Sequence, residues 1–383
     1  MYKTYALTAI LCALLLQGCL ATTQGSVAEP RALQGQQIDV PMQDRHTFIR
    51  RLAFSPDGQH FLLAHGYGYV DLYNLEDRRH VWSSDQRDDY ILSSGFINND
   101  SFFFATRSSE RHNSTQAEKL VFRLSIRPVA TPDQAEVVEF PRGRTLPMTV
   151  NDDFIYYDRQ LLDRRDGRIH PVVTAHIRYP VGVLTRSGKV LSQDDGNTVL
   201  YDYATQDYLH WCADCRLSLV SQSGGAFDIT ASERFVITHS YRGNCYVRTL
   251  PALKSVGRCG SSLSLRSETP LVQPHPVAER VAVAWGERVR VYDLEPFRLV
   301  FETRLEGPVT GIALSADKQL AATYPGGRVL VWHVDDGRLL GYHDLHYGHP
   351  HGISSQLMSF SPDGRKLLVS SGPQAPVLLD IPE

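Results

Sequence analysis

The sequence predicts an all-β protein assembled from repeated units of four antiparallel strands. Three observations carry this. The stretch FSPDG occurs twice, at Phe54–Gly58 and again at Phe360–Gly364, once near each end of the folded part. Around each copy, and elsewhere in the chain, one phrase recurs: an apolar strand, a turn, a second apolar strand, a glycine-containing turn, and a third strand ending in an aromatic and a polar residue. The third strands VDLYNL, TVLYDY, RVRVYDL and VLVWHV alternate with the period of two that strands require.

The elements follow in chain order. MYKTYALTAILCALLLQGC places Lys3 before an apolar run, Ala6 to Leu16, and ends on Gly18-Cys19. A short basic start, an apolar core and small residues at its end predict a secretory signal peptide over residues 1–18. The run is shorter than the ~20 apolar residues of a spanning helix. Leu16-Gln17-Gly18-Cys19 resembles the lipobox of bacterial lipoproteins. That resemblance implies cleavage between Gly18 and Cys19 and acylation of Cys19, with fatty-acyl chains such as palmitate as a stable anchor. Leu20 in place of an aspartate points to the outer membrane, on its periplasmic face. Residues 19–36 are polar, lack apolar periodicity and read as a flexible tether.

Residues 37–383 form the body. Repeat units begin near Ile49, Ile91, Leu146, Val181, Ala226, Leu271, Val309 and Leu357, roughly 40 residues apart. That gives eight units, or seven if the short third one, Leu146 to Thr174, belongs to a neighbour. The second is stretched by a polar loop, Ser108 to Lys119. The last has only three strands, while Gln37-Ile38-Asp39-Val40-Pro41 alternates like a strand. The start of the body is therefore expected to complete the last unit, closing the array and removing its open edges.

Taken together, these units resemble the WD-repeat family of β-propellers, whose four-stranded blades have this length. Tyr73-Asn74, Tyr201-Asp202, Tyr292-Asp293 and Trp332-His333 stand where that family has Trp-Asp, and Gly348-His349 stands near its Gly-His pair. The resemblance implies a closed propeller of four-stranded antiparallel blades.

Four cysteines remain in the body, and an even number in an oxidising compartment predicts disulfides. NCYVRTLPALKSVGRC reads as a hairpin. If Leu250 opposes Lys254, Cys245 falls opposite Cys259 at a separation a bridge can span. Trp211-Cys212-Ala213-Asp214-Cys215 follows a strand without a helical pattern, so Cys212 and Cys215 read as a local structural disulfide rather than a redox dithiol. His343, His346, His349 and His351 crowd one loop and are the weak candidates for a metal, though loop histidines need no such role. The pairs Asp152-Asp153, Asp194-Asp195 and Asp335-Asp336 are adjacent in turns, and neighbours on a strand face opposite ways.

A net charge of -3 shows no basic excess and gives no support to a nucleic-acid partner. Neither a nucleophile elbow nor a phosphate loop occurs. The expectation is a non-enzymatic, cofactor-free, lipid-anchored scaffold that binds other envelope proteins. Its candidate contact surfaces are the rim around His343–His351 and the loop Ser108–Lys119. Two alternatives stay open: an enzyme or ligand-binding protein using the central channel, and a periplasmic metal or redox sensor.

Overall fold

The computed structural model describes residues 31–40, 49–66, 68–84, 90–110, 119–140, 149–157, 160–171, 182–185, 188–194, 197–202, 205, 207–212, 227–239, 245–259, 270–324, 327–345, 357–370 and 375–382. Among them there is no helix; regular structure consists of eight antiparallel sheets. The sheets belong to a unit spanning Ala32–Glu383.

Each sheet is a meander. Sheet 1 comprises Ile49–Phe54, His60–His65, Val70–Asn74 and His80–Ser83; sheet 2 comprises Tyr90–Phe96, Ser101–Glu110, Lys119–Pro128 and Glu136–Phe140. Sheet 3 is Thr149–Val150, Phe154–Tyr157, Gln160–Asp163 and Arg168–Pro171, and sheet 4 is Gly182–Leu184, Val190–Asp194, Asn197–Asp202 and Asp207–Cys212. Sheet 5 has Phe227–Ile229, Phe235–His239, Cys245–Thr249 and Ser255–Cys259; sheet 6 has Leu271–Pro274, Arg280–Trp285, Arg288–Leu294 and Phe297–Arg304. Sheet 7 runs Gly311–Leu314, Gln319–Tyr324, Arg328–His333 and Leu339–Asp344, with a short fifth strand that ends at Ala32 on its outer edge. Sheet 8 takes three strands from Leu357–Phe360, Lys366–Ser370 and Val377–Asp380, and its outer strand from Gly35–Gln37. The short third unit of the sequence is thus a sheet in its own right.

Burial explains the composition of these strands. Second strands such as Gln319–Tyr324 are buried along their whole length, as expected where a sheet is covered on both faces. Fourth strands such as Phe297–Arg304 are partly exposed and carry charge at Arg298, Glu302 and Arg304. The apolar side chains gather into eight clusters, each shared by two sheets. One joins Leu62, Ala64 and Leu72 of sheet 1 to Ile91, Phe102 and Phe104 of sheet 2. Equivalent clusters link sheets 2 and 3, 3 and 4, 4 and 5, 5 and 6, 6 and 7, and 7 and 8. The eighth joins sheet 8 to sheet 1, through Leu368 and Leu378 against Phe61, Leu63 and Tyr73, with Ile38 between them.

A second regularity is a bulge between third and fourth strands. It falls at Leu72/Tyr73, Leu200/Tyr201, Val247/Arg248, Val291/Tyr292 and Val331/Trp332. A bulge adds one residue to one strand and sharpens its twist. Here it sits at the aromatic of each family-like pair, or at Arg248, one or two residues before the end of the strand. The residue after it then organises the following turn: Asn74 Oδ1 accepts the Glu76 N–H at 3.0 Å, and His333 Nδ1 lies 3.0 Å from Asp336 Oδ1.

The body begins earlier than the sequence predicts. Leu33 is buried, its N–H donates to Tyr342 O at 2.7 Å, and Gly35–Gln37 rather than residues 37–41 form the outer strand. Ile38 then fills the core between sheets 8 and 1. The tether predicted through residue 36 therefore ends at about Ala32; its earlier part and the lipobox residues Gly18 and Cys19 lie outside the described residues. The loop predicted over Ser108–Lys119 is shorter too, because Glu110 and Lys119 pair as strand residues.

Candidate functional site

The turns between first and second strands share one construction. Each starts with a polar side chain that accepts a backbone N–H farther along the turn. Ser55, Thr185, Thr230, Ser315 and Ser361 use hydroxyls toward His60, Lys189, Phe235, Gln319 and Lys366. Asn98 and Asn151 use their amide oxygens toward Asp100 and Phe154. In sheet 6 the same place is held by His275, whose Nδ1 accepts the N–H groups of Val277 and Ala278 at 3.1 and 2.8 Å. Such side-chain bonds fix turns locally. In both FSPDG copies Gly58 and Gly364 supply a left-handed residue, φ 70° and 71°, at no steric cost.

The next turn position projects at the rim. It is Pro56, Pro276, Ala316 and Pro362 in sheets 1, 6, 7 and 8, with Val277 beside Pro276 and 72% exposed. These residues edge a cavity of about 590 Å³ between the first strands of the four sheets, lined by Leu52, Phe54, Pro274, Leu314, Met358 and Phe360 among others. Beside it lies a second recess of about 500 Å³, lined by Ile97, Asn98, Asn99, Asn151, Asp152 and Asp153. Pro56 belongs to both walls. One face therefore carries an apolar hollow and an acidic, amide-rich one side by side.

Charge on this face is largely fixed in place. Lys318 and Arg280 both bind Asp335, at 2.6 and 2.9 Å, and hold its carboxyl below the usual range. Arg234 of sheet 5 pairs with Glu295 of sheet 6. Burial raises the carboxyls of Asp57 and Asp363, but the Ser55 and Ser361 hydroxyls and backbone N–H groups outweigh it and leave both depressed. His275 is 2% exposed, and burial, with Arg280 and Lys318 nearby, pushes it down to about 4. It is neutral, with its proton on Nε2.

Elsewhere, polar chemistry is structural. In sheet 1, Asp71 is fully buried; His65 Nε2 lies 2.9 Å from its Oδ2, and the Ser83 hydroxyl donates to its Oδ1 at 2.5 Å. Asp163, Asp166 and His170 converge within 4.8 Å, but Arg165 engages both oxygens of Asp163 at 2.9 and 2.6 Å. That group is an ion-paired turn.

The residues singled out by sequence lie partly among the described residues. Cys245 and Cys259 are directly opposite, Cα atoms 5.0 Å apart, and form a buried disulfide. The predicted register at the turn is off by one: Thr249 N–H, not Leu250, meets Lys254, and the bulge restores the pairing at the cysteines. Cys212 ends the fourth strand of sheet 4, its Cα opposite Thr198; Cys215 lies outside the described residues. His343 packs its ring against Gly35 and places Nδ1 3.2 Å from Leu33 O, so it fastens the incoming strand. His346, His349 and His351 lie outside the described residues, as do 111–118 of the polar loop.

No protein-family model matches the chain, and no curated protein matches its sequence. The fold is similar to the C-terminal WD40 domain of Sif2, with a TM-score of 0.60 and 11% identity over 92% of this chain and 100% of that one. It is similar also to the computationally designed Ika8 protein, with a TM-score of 0.62 and 14% identity over 91% and 98% of the two chains. Identities this low speak for the fold alone. The body is a WD40-like β-propeller.

Proposed function

We propose that the eight sheets are the blades of a closed eight-bladed propeller, and that it serves as a non-enzymatic, protein-binding scaffold. The apolar cluster shared by sheets 8 and 1, with Gly35–Gln37 completing sheet 8, supports the closure. Acylation at Cys19 would hold the body at the periplasmic face of a bacterial outer membrane, a reading that rests on Leu16-Gln17-Gly18-Cys19. The observation that carries the binding role is the hollow rimmed by Pro56, Pro276, Ala316 and Pro362, where Val277 stands exposed beside apolar walls. A rigid scaffold with a concave apolar site is what a partner's side chain needs.

The test is a cross-linked pull-down of the lipidated protein from envelope fractions, read by mass spectrometry against Val277→Asp and Cys19→Ser. A stoichiometric envelope protein, lost with Val277→Asp and depleted with Cys19→Ser, is expected. Recovery of the bait alone would sink the scaffold reading and move weight to a ligand or substrate in the cavity.

A further inference from the structure

The two recesses that meet at Pro56 differ in chemistry, and together they describe one kind of ligand. The first has apolar walls and room for a large side chain. The second is bordered by Asp152 and Asp153 of sheet 3, both exposed. One oxygen of Asp152 accepts the Asn98 amide at 2.7 Å, and Asp153 uses only its backbone in the turn. Asp57, next to Pro56, adds a third carboxylate, held ionised by its turn.

Several cations on the same face are already engaged. Arg164 bonds Glu136 and the Asp152 carbonyl. Arg280 and Lys318 share Asp335, and Arg234 bonds Glu295. Among the described residues no cationic side chain pairs with Asp57, Asp152 or Asp153 through a salt bridge. Their negative charge is left facing solvent beside an apolar hollow, and a like-charged partner would be repelled from it.

Resting on the protein-binding reading, we propose that the partner presents an extended segment carrying an apolar side chain with Lys or Arg a few residues away. The apolar side chain enters the hollow between sheets 6, 7, 8 and 1. The cation crosses Pro56 and meets Asp152 and Asp153. Anchoring comes from the desolvated apolar contact, while the exposed charges set orientation and partner choice.

The experiment places a photo-cross-linking residue in the full-length protein in cells, as Val277→p-benzoylphenylalanine, and for comparison at Val137, exposed on the fourth strand of sheet 2. Captured peptides are sequenced with and without Asp152→Asn plus Asp153→Asn; both aspartates are exposed, so the fold is kept. Expected are adducts at Val277 whose segments pair an apolar residue with nearby Lys or Arg, with a yield about fivefold lower in the double variant and reduced by added salt. Segments with acidic neighbours, or a yield indifferent to the double variant, would overturn the charge assignment while protein binding stands. Adducts at Val137 alone would overturn the choice of face. None at either position would remove the protein-binding reading itself.

Discussion

His275 holds the place that serine, threonine or asparagine holds in the other turns, and it makes the same bond at a different electrostatic cost. The unfolded imidazole takes up a proton near pH 6.5, whereas the folded one resists down to about 4. Between those values the unfolded state carries more protons, so stability falls as the pH drops through that window and is level above it. The loss grows to about 3 kcal/mol at the low end. His275→Ser keeps an acceptor for Val277 and Ala278 and should flatten this slope in urea unfolding measured from pH 7 to pH 4. An unchanged slope would place the titration elsewhere. At this scale the sequence was partly legible. Asn74 and His333 stand where the family-like pairing predicts, and each organises its turn. The Asp71 network was not legible, because His65 and Ser83 reach Asp71 only through the pairing of three strands. Nor did the sequence mark His275, which lacks the Ser-x-Asp pattern found at Ser55, Ser315 and Ser361.

Strands show the same mixture. The starts of the eight sheets were readable from turn residues and period-two runs, since those signals are local. In sheet 5 the bulge falls at Arg248 rather than at a family-like aromatic, so the turn register there differs by one from the predicted one while the Cys245–Cys259 pairing holds. That disulfide closes a loop of 14 residues in sequence separation, for which the chain-entropy model gives about 3 kcal/mol. Cys245→Ala with Cys259→Ala is expected to lower the urea midpoint accordingly, and dithiothreitol should destabilise the variant much less than the parent. If reductant destabilises it as much as the parent, another bridge carries the effect. The incoming strand was displaced by two residues in the reading for a steric reason. At Gly35 a Cβ would meet His343 Cε1 at 2.6 Å and Leu379 Cδ2 at 2.8 Å. Alternation pointed to Ile38 and Val40, but close approach, which only a glycine permits here, put the strand at Gly35–Gln37.

Across the whole molecule, each core cluster belongs to two sheets, so no sheet owns a complete core. Ile38 lies in the cluster that joins sheet 8 to sheet 1. Ile38→Ala is expected to cost about 2–5 kcal/mol and to shift one cooperative transition, with hydrogen-exchange protection falling in both sheets. Separate melting of sheet 8 while sheet 1 kept its protection would show an open array of the kind that frays from its ends. The architecture was legible because repetition multiplies weak signals. The proposed binding hollow was not legible, because it is built from turns whose own sequence looks structural. Its one outward sign was proline at the same turn position in Pro56, Pro276 and Pro362, and only their convergence gives that meaning.

The pairing of Gly35 with Leu379 has a consequence for how the molecule is made. A ribosome produces the first of these residues long before the second, and the outer strand has no place to dock until Leu379 has emerged. During that interval Leu33 and Ile38 have no shelter, and the residues of sheet 1 that share a cluster with sheet 8 still lack that neighbour. Assembly is therefore decided at the last moment rather than step by step. A message cut short before Leu379 leaves the Gly35–Gln37 strand without its partner, open to any proteolytic surveillance the chain meets.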